Sequence, residues 1–480
     1  MVQQHKPGGG LARSLSHEQM TMIALGSALG TGLFLGSGAA ISVAGPAVIV
    51  CYALGSLIAA IIACAAGEMA VKYPVRGGFG TMAGRFLGAF GGYITRWAYW
   101  ATTVCVAGAE LVAVSTYLRF WWPELPLWWG IAAFGVGVIL LNAFSVKSFG
   151  LVEFFLSGIK VFAVIAFILI GLILIFFGLP SHPAEGVGHL TENGFMPNGA
   201  SSVWLAMALV MFSFGGVELI SISAAEAKDP VRSVRTAGKA TIWRLATFYV
   251  LALFVVMSLM PWSAAAASGE LETSPFVLVF SEAGIPAAAA ILNFIVLVAA
   301  LSAANANVYA GTRLLHSLSY QGMAPRGFRR TSASGIPVRA LIGSTVGILL
   351  VVVMAASGIS NVFVLMVALI TSCVLIVWFM ILLAYVFYRR REGASSSFRL
   401  LGGVPMAILG MVGLASVFST VFVLEDMRMA GLVGVGYFVV LTVLYFAVVR
   451  RHVTVDREAF EEAGRATGAS ERPAEAGAEV

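Results

Sequence analysis

The sequence predicts an all-α membrane protein of twelve transmembrane helices, ten of them forming a five-plus-five inverted repeat with broken helices 1 and 6, and two more added after it. Three observations predict this. Of the 480 residues, 59% are apolar and only 11% charged, too few charges to cover a water-soluble surface. Twelve apolar runs recur along the chain, each near the length of about 20 residues that crosses a ~30 Å hydrocarbon layer. Glycine-rich interruptions fall in the first and the sixth of these runs.

The runs lie near residues 20–43, 47–71, 91–118, 126–146, 150–177, 201–225, 242–262, 285–311, 339–357, 361–388, 402–424 and 428–449. They are too long and too uniformly apolar for barrel strands, which are shorter and alternate with a period of two. The first run is longer than a signal-peptide core and eleven more follow it, so it reads as a retained helix. The expected organisation is a cytoplasmic tail over 1–19, a ten-helix core over 20–388, two additional helices over 402–449 and a tail over 450–480. That last tail is rich in Ala, Glu and Gly, and reads as cytoplasmic and partly disordered.

Basic residues set the orientation. With the N-terminus in the cytoplasm, all of the 29 Lys and Arg except Arg119 and Arg428 fall in tails, loops or span ends on the cytoplasmic side. This is a strong positive-inside bias; it places both termini in the cytoplasm and the chain in the cytoplasmic membrane as a multi-pass protein. It also accounts for the net charge of +6 without nucleic acid. Cys51, Cys64, Cys105 and Cys373 stand alone in apolar spans, with no metal-ligand or CxxC spacing, and nothing in the chain implies a cofactor. Trp121, Trp122, Trp128 and Trp129 bracket a short outer loop, as an interfacial aromatic belt does.

In the first run, "GSALGTGLFLGSG" places five glycines between residues 26 and 38, each weakening a helix by roughly 1 kcal/mol relative to alanine. In the sixth, "FSFGGVEL" puts adjacent glycines just before a carboxylate. Small-xxx-small spacing such as Gly26 with Gly30 also suits close helix packing. Two interruptions five spans apart favour broken helices instead, since an odd offset makes the two spans enter the membrane from opposite sides and such pairs mark midplane binding sites. The break would free N–H groups at the start of the outer half-helix and carbonyls at the end of the inner one. The first suit a carboxylate, the second an ammonium or cation, and an α-amino acid carries both.

Several segments resemble the bacterial amino acid permeases of the amino acid, polyamine and organocation superfamily. They are "ALGSALGTGLFLGSG", "AGPAV", "GEMAVKYPVRGGF", "AELVAVSTYLRFWWPELPLW", "SGIKVFAVIAF", "MFSFGGVELISISAAEAKDP" and "ALSAANANVYAGTRLLHSLSYQGMAP". The likeness is greatest to the aromatic amino acid, proline and 4-aminobutyrate permease branch, and covers about residues 11–452. It implies a LeuT-type fold that imports amino acids with protons. By position, Gly30, Thr31 and Gly32 match the element that holds the substrate carboxylate, and the carbonyls of Ala28, Phe212 and Gly215 match the groups that hold the α-ammonium. Phe212 also matches an aromatic gate. Where relatives often carry Tyr after "GG", this chain has Phe79 and Met82, which puts the inner-gate contact in doubt.

Charges within spans default to function. Glu110 lies about eight residues, roughly 12 Å, from the outer end of its span, and reads either as a pocket carboxylate that meets substrate or the coupled proton, or as a packed neutral group. Glu218 reads as a member of the proton path or as a cap on freed backbone amides. Depth alone lets Lys160 snorkel to the interface; the resemblance places its ammonium near the break in helix 1, in place of a sodium ion, as a proton-coupling group. Glu68, Arg96 and Glu153 sit near cytoplasmic span ends and read as ion-paired or snorkelling. Ser302, Asn305 and Asn307 line the site or bond across helices.

The leading expectation is a secondary transporter for neutral or aromatic amino acids, with protons and membrane lipid as the other partners. The alternatives are an exchanger or a 4-aminobutyrate or cationic amino acid permease, and further off a channel or transceptor. A channel needs repeated pore-lining rings that the chain lacks. An embedded enzyme needs a nucleophile–base pair or metal ligands at membrane depth, and no HxxxH, GxSxG or carboxylate pair occurs there.

Overall fold

The computed structural model describes residues 30–75, 77–144, 149–178, 183–223, 230–270, 274–282, 286–332, 335–359, 361–393 and 398–453. Among them the secondary structure is helical throughout, with no strand. Over its described residues, each apolar run read from the sequence falls on one or two helices. These are α1 (Thr31–Phe34), α2 (Gly36–Ala44), α3 (Val48–Lys72), α4 (Gly78–Leu118), α5 (Leu127–Phe144), α6 (Phe149–Phe176), α7 (Ser201–Phe212), α8 (Leu219–Ser223) and α9 (Pro230–Leu259). They continue with α10 (Trp262–Glu270), α11 (Pro275–Glu282), α12 (Pro286–Tyr320), α13 (Val338–Ser344), α14 (Val346–Ala356), α15 (Val362–Glu392), α16 (Gly403–Val423) and α17 (Glu425–Ala447). Among the described residues, eight helical stretches are by themselves long and apolar enough to cross a membrane, with α2 and α3 joined as one of them.

Local chemistry explains the ends. A turn over Gly45–Ala47 with Pro46 in its first positions separates α2 from α3. Helix α15 closes on Arg389, Arg390 and Arg391 and stops at Gly393, φ +74°, cations and a left-handed glycine being favoured at a helix C-terminus. Helix α17 opens on Glu425 and Asp426, the complementary charge for an N-terminus. Within α4 the backbone leaves helical geometry at Gly88, so a short helix precedes the long span that the apolar run predicts from residue 91.

Helix α4 packs along α15 on one side and α12 on another, and α9 lies against α3. Buried Trp378, Tyr52, Tyr93, Tyr117, Tyr249 and Tyr385 fill the interior between these helices, while Leu409, Val412, Val439 and Val443 of the last two helices face outward. Helices α16 and α17 dock on α15. The short pair α10 and α11 packs on α2 and α12; the Ser274 hydroxyl donates to the Phe34 carbonyl at 2.7 Å, and the Phe276 ring meets those of Phe34 and Phe167 at 5.3 and 4.8 Å. Neither short helix is foreseen from hydropathy, because both are too brief to span.

At the basic end, Glu68 is fully buried and accepts from the Tyr385 hydroxyl at 2.7 Å, Arg389 Nη1 at 2.8 Å and the Leu400 amide at 2.8 Å. The ion pair expected for Glu68 is thus formed, and it joins α3 to α15 and to the chain leading into α16. Arg96 donates to the Thr81 hydroxyl, while the side chain of Glu153 lies outside the described residues. Breaking a buried pair from one side costs roughly 3–5 kcal/mol, because the partner is left uncompensated. Glu68→Ala is therefore expected to lower the thermal unfolding temperature in detergent markedly, read by tryptophan fluorescence; an unchanged transition would remove this hub from the stability of the fold.

Candidate functional site

The sixth apolar run is interrupted as its sequence predicts. Helix α7 ends at Phe212, and the bonds that follow close over three residues instead of four: Ser213 N to Val210 O at 3.0 Å, Phe214 N to Met211 O at 3.1 Å and Gly215 N to Phe212 O at 3.2 Å. Gly216 then adopts φ +101°, a left-handed conformation that side chains resist. The Gly216 amide donates to both oxygens of Glu218 at 3.2 Å, and Trp378 Nε1 of α15 donates to Glu218 Oε2 at 3.0 Å. Glu218 therefore caps the freed backbone and bridges it to a neighbouring helix. On the other side of the break, the Tyr249 hydroxyl donates to the Ser213 carbonyl at 2.6 Å, and the Tyr52 hydroxyl and Ser213 Oγ share a hydrogen at 2.9 Å.

The first run begins, within the described residues, at this same place. Gly30 is extended, and α1 starts at Thr31 with no side-chain cap of its own. Its first amides are thus available to a partner from elsewhere. The Thr31 amide points at Glu110 Oε1, 3.4 Å away. Glu110 is buried, and neither its Oε2 nor the Thr31 hydroxyl has a hydrogen-bond partner among the described residues. A Cβ on Gly30 would lie 3.0 Å from Glu110 Oε1, and one on Gly32 would lie 2.7 Å from the Ser213 Cα. Only a glycine at 32 lets the two interrupted helices touch.

Lys160 is 1% exposed on α6. Its ammonium does not snorkel to the interface, so the reading from depth alone is corrected; it interacts electrostatically with Glu110. Phe212 is buried, edge-on to Phe363 with ring centroids 6.1 Å apart, and its ring lies beside Gly36. The Phe212 carbonyl already accepts one bond from Gly215 and keeps a second lone pair. Gly215 itself is partly exposed. Ala28, with the other residues of the first apolar run before Gly30, lies outside the described residues.

Toward the basic end, the Phe79 amide donates to Ser221 Oγ at 3.2 Å and the Phe79 ring stacks edge-on with Tyr99 at 4.9 Å. The segment after α3 thus meets α8 with Phe where relatives often have Tyr. Asn305 bonds across helices, accepting from Asn142 Nδ2 at 2.8 Å, whereas Asn307 Nδ2 donates to the Ala303 carbonyl of its own helix at 2.9 Å. Sequence reasoning missed Tyr52, Tyr249 and Trp378, which hold the broken segment. Single aromatics in apolar runs carry no signal of their own.

The amino acid permease family matches residues 19–457. The chain belongs to that family. The permease is 42% identical over 392 residues to the aromatic amino acid transport protein AroP of Escherichia coli K12, covering 82% of this chain and 85% of that protein. It is equally similar to AroP of Salmonella typhimurium LT2, at 42% over 392 residues with the same coverage. An uncharacterized amino acid permease of Bacillus subtilis, YtnA, is 36% identical over 443 residues, 91% of this chain and 95% of that one. Among solved structures, a point mutant of the Eremococcus coleocola manganese transporter superposes with a TM-score of 0.57 at 13% identity, covering 94% of the permease and 98% of that chain. At that identity the likeness is one of fold, and the fold is the all-helical LeuT type that the sequence resemblance implied.

Proposed function

We propose that the permease imports neutral or aromatic amino acids across the cytoplasmic membrane by proton symport and alternating access, with both termini in the cytoplasm. The observation that carries this reading is the meeting of two helix interruptions at a buried carboxyl: α1 begins against Glu110, and Gly32 rests on Ser213. In this reading the amides of Gly30, Thr31 and Gly32 take the substrate carboxylate, which a helix N-terminus favours. The carbonyls of Ala28, Phe212 and Gly215 take the ammonium, and Phe212 closes over the side chain. Lys160 supplies the fixed or exchangeable positive charge beside Glu110, while Glu218 shapes the break and stands near the proton path. The aromatic preference is supported by the likeness to AroP and needs a neutral Glu110 when substrate is bound.

The test is uptake into proteoliposomes of labelled phenylalanine, competed by the full set of amino acids, with proton and sodium gradients varied separately. Accumulation driven by an inward proton gradient and competed best by tyrosine, tryptophan or another neutral amino acid is the expected result. Accumulation that follows sodium and ignores protons would overturn the coupling.

A further inference from the structure

Glu110 has a neighbour that the reading above leaves without a task. Tyr117 lies seven residues beyond it on α4, nearly two full turns, so both side chains emerge from the same face about 10 Å apart along the axis. Long side chains in helices lean back toward the N-terminus, which brings the Tyr117 ring down from the end of α4 toward Glu110, and the two groups interact electrostatically. Tyr117 is 1% exposed, and its hydroxyl, like Glu110 Oε2 and the Thr31 hydroxyl, is buried with no hydrogen-bond partner among the described residues. An unpartnered Tyr117 hydroxyl and an unpartnered oxygen on the carboxyl it interacts with call for an explanation, because each forfeits roughly 1–3 kcal/mol of hydration. The Tyr117 backbone is held in place by buried Asn293 of α12, whose Nδ2 donates to the Tyr117 carbonyl at 2.8 Å.

We propose that Tyr117 relays protons between the external face and Glu110. The inference rests on the proton-coupled reading above and on the orientation that makes the C-terminal end of α4 external. In the relay, a hydronium ion at the outer end gives its proton to the Tyr117 oxygen as the O–H bond of that hydroxyl breaks. The released proton passes, directly or through one water, to Glu110 Oε2, where a new O–H bond forms. Tyr117 ends as it began, a water molecule remains outside, and Glu110 has gained one proton. The hydroxyl of Thr31 lines the same point. Lys160 is the cation that interacts electrostatically with Glu110; beyond Tyr117, Arg119 bonds the Pro123 carbonyl at 3.4 Å. Asn293 acts as a positioning residue.

Tyr117→Phe removes only the unpartnered oxygen. In proteoliposomes with an inward proton gradient, its uphill uptake of phenylalanine, or of whichever amino acid the wild type accumulates, is expected to fall about a hundredfold, at the low end of what a positioned proton-transfer group supplies. Counterflow between equal substrate pools, which needs no net proton entry, should stay near the wild-type rate, and uptake should recover as external pH is lowered. Asn293→Ala should show the same selective loss to a smaller degree. Unchanged uphill uptake in Tyr117→Phe overturns the relay. So does an equal loss of uptake and counterflow, which would place the hydroxyl in substrate contact or in the fold. A wild-type protein indifferent to the proton gradient would instead remove the coupling itself, and the relay with it.

Discussion

Lys160→Ala should abolish gradient-driven accumulation while leaving substrate binding measurable. The expectation follows from burial: an ammonium 1% exposed within an apolar helix is costly to keep there unless a counter-charge or carbonyls compensate it, and Glu110 is a carboxyl with which it interacts electrostatically. Removing the cation takes away the charge that Glu110 interacts with inside the span. A carboxyl and an ammonium that exchange a proton within the bilayer cannot do so once one of them is gone. Equilibrium binding of labelled substrate to the detergent-solubilised variant, set against uphill uptake in proteoliposomes, separates the two effects. Accumulation at the wild-type rate would take Lys160 out of the transport cycle, and joint loss of binding would make its role structural.

Gly32→Ala is the second large effect expected. The new methyl would sit 2.7 Å from the Ser213 Cα, against backbone that has no free rotamer with which to retreat. Overpacking of this kind costs typically 1–3 kcal/mol, and here the strain falls on the contact between the two interruptions. The helices must separate, pulling Ser213 from Tyr52 and Tyr249 and displacing the amides of α1 from Glu110. Substrate affinity is expected to drop by at least about tenfold, equivalent to roughly 1.4 kcal/mol, with a smaller fall in unfolding temperature. Gly137, where an added Cβ meets nothing within 4 Å, is the matched control: Gly137→Ala should bind as the wild type does. Wild-type affinity in Gly32→Ala would show that the close approach is dispensable.

The course of the chain through lipid was legible because hydrocarbon imposes one rule on every crossing segment, and each apolar run falls on helix over its described residues. The interruption at Phe212–Leu219 was legible too, since adjacent glycines beside a carboxylate have few other uses in a span. Extents were harder to read. Helices α4 and α12 run past their apolar runs because hydropathy reports where lipid is, not where helical hydrogen bonding stops. Long-range partners were not legible at all: that Gly32 meets Ser213, that Trp378 finds Glu218, or that Glu68 gathers Tyr385, Arg389 and Leu400 depends on which helices become neighbours. A one-dimensional pattern is silent on that. Lys160 shows the boundary between the two kinds of knowledge, because its depth was readable while the direction of its side chain was not.

The bond from Ser274 to the Phe34 carbonyl gives the hairpin of α10 and α11 a mechanical grip on the outer stub of helix 1. Whatever pushes that stub must drag the hairpin with it, as a rod moves a crank. In the orientation proposed above, with both termini in the cytoplasm, a binding protein raised against the hairpin and applied from outside the cell is expected to stall turnover without entering the substrate cleft.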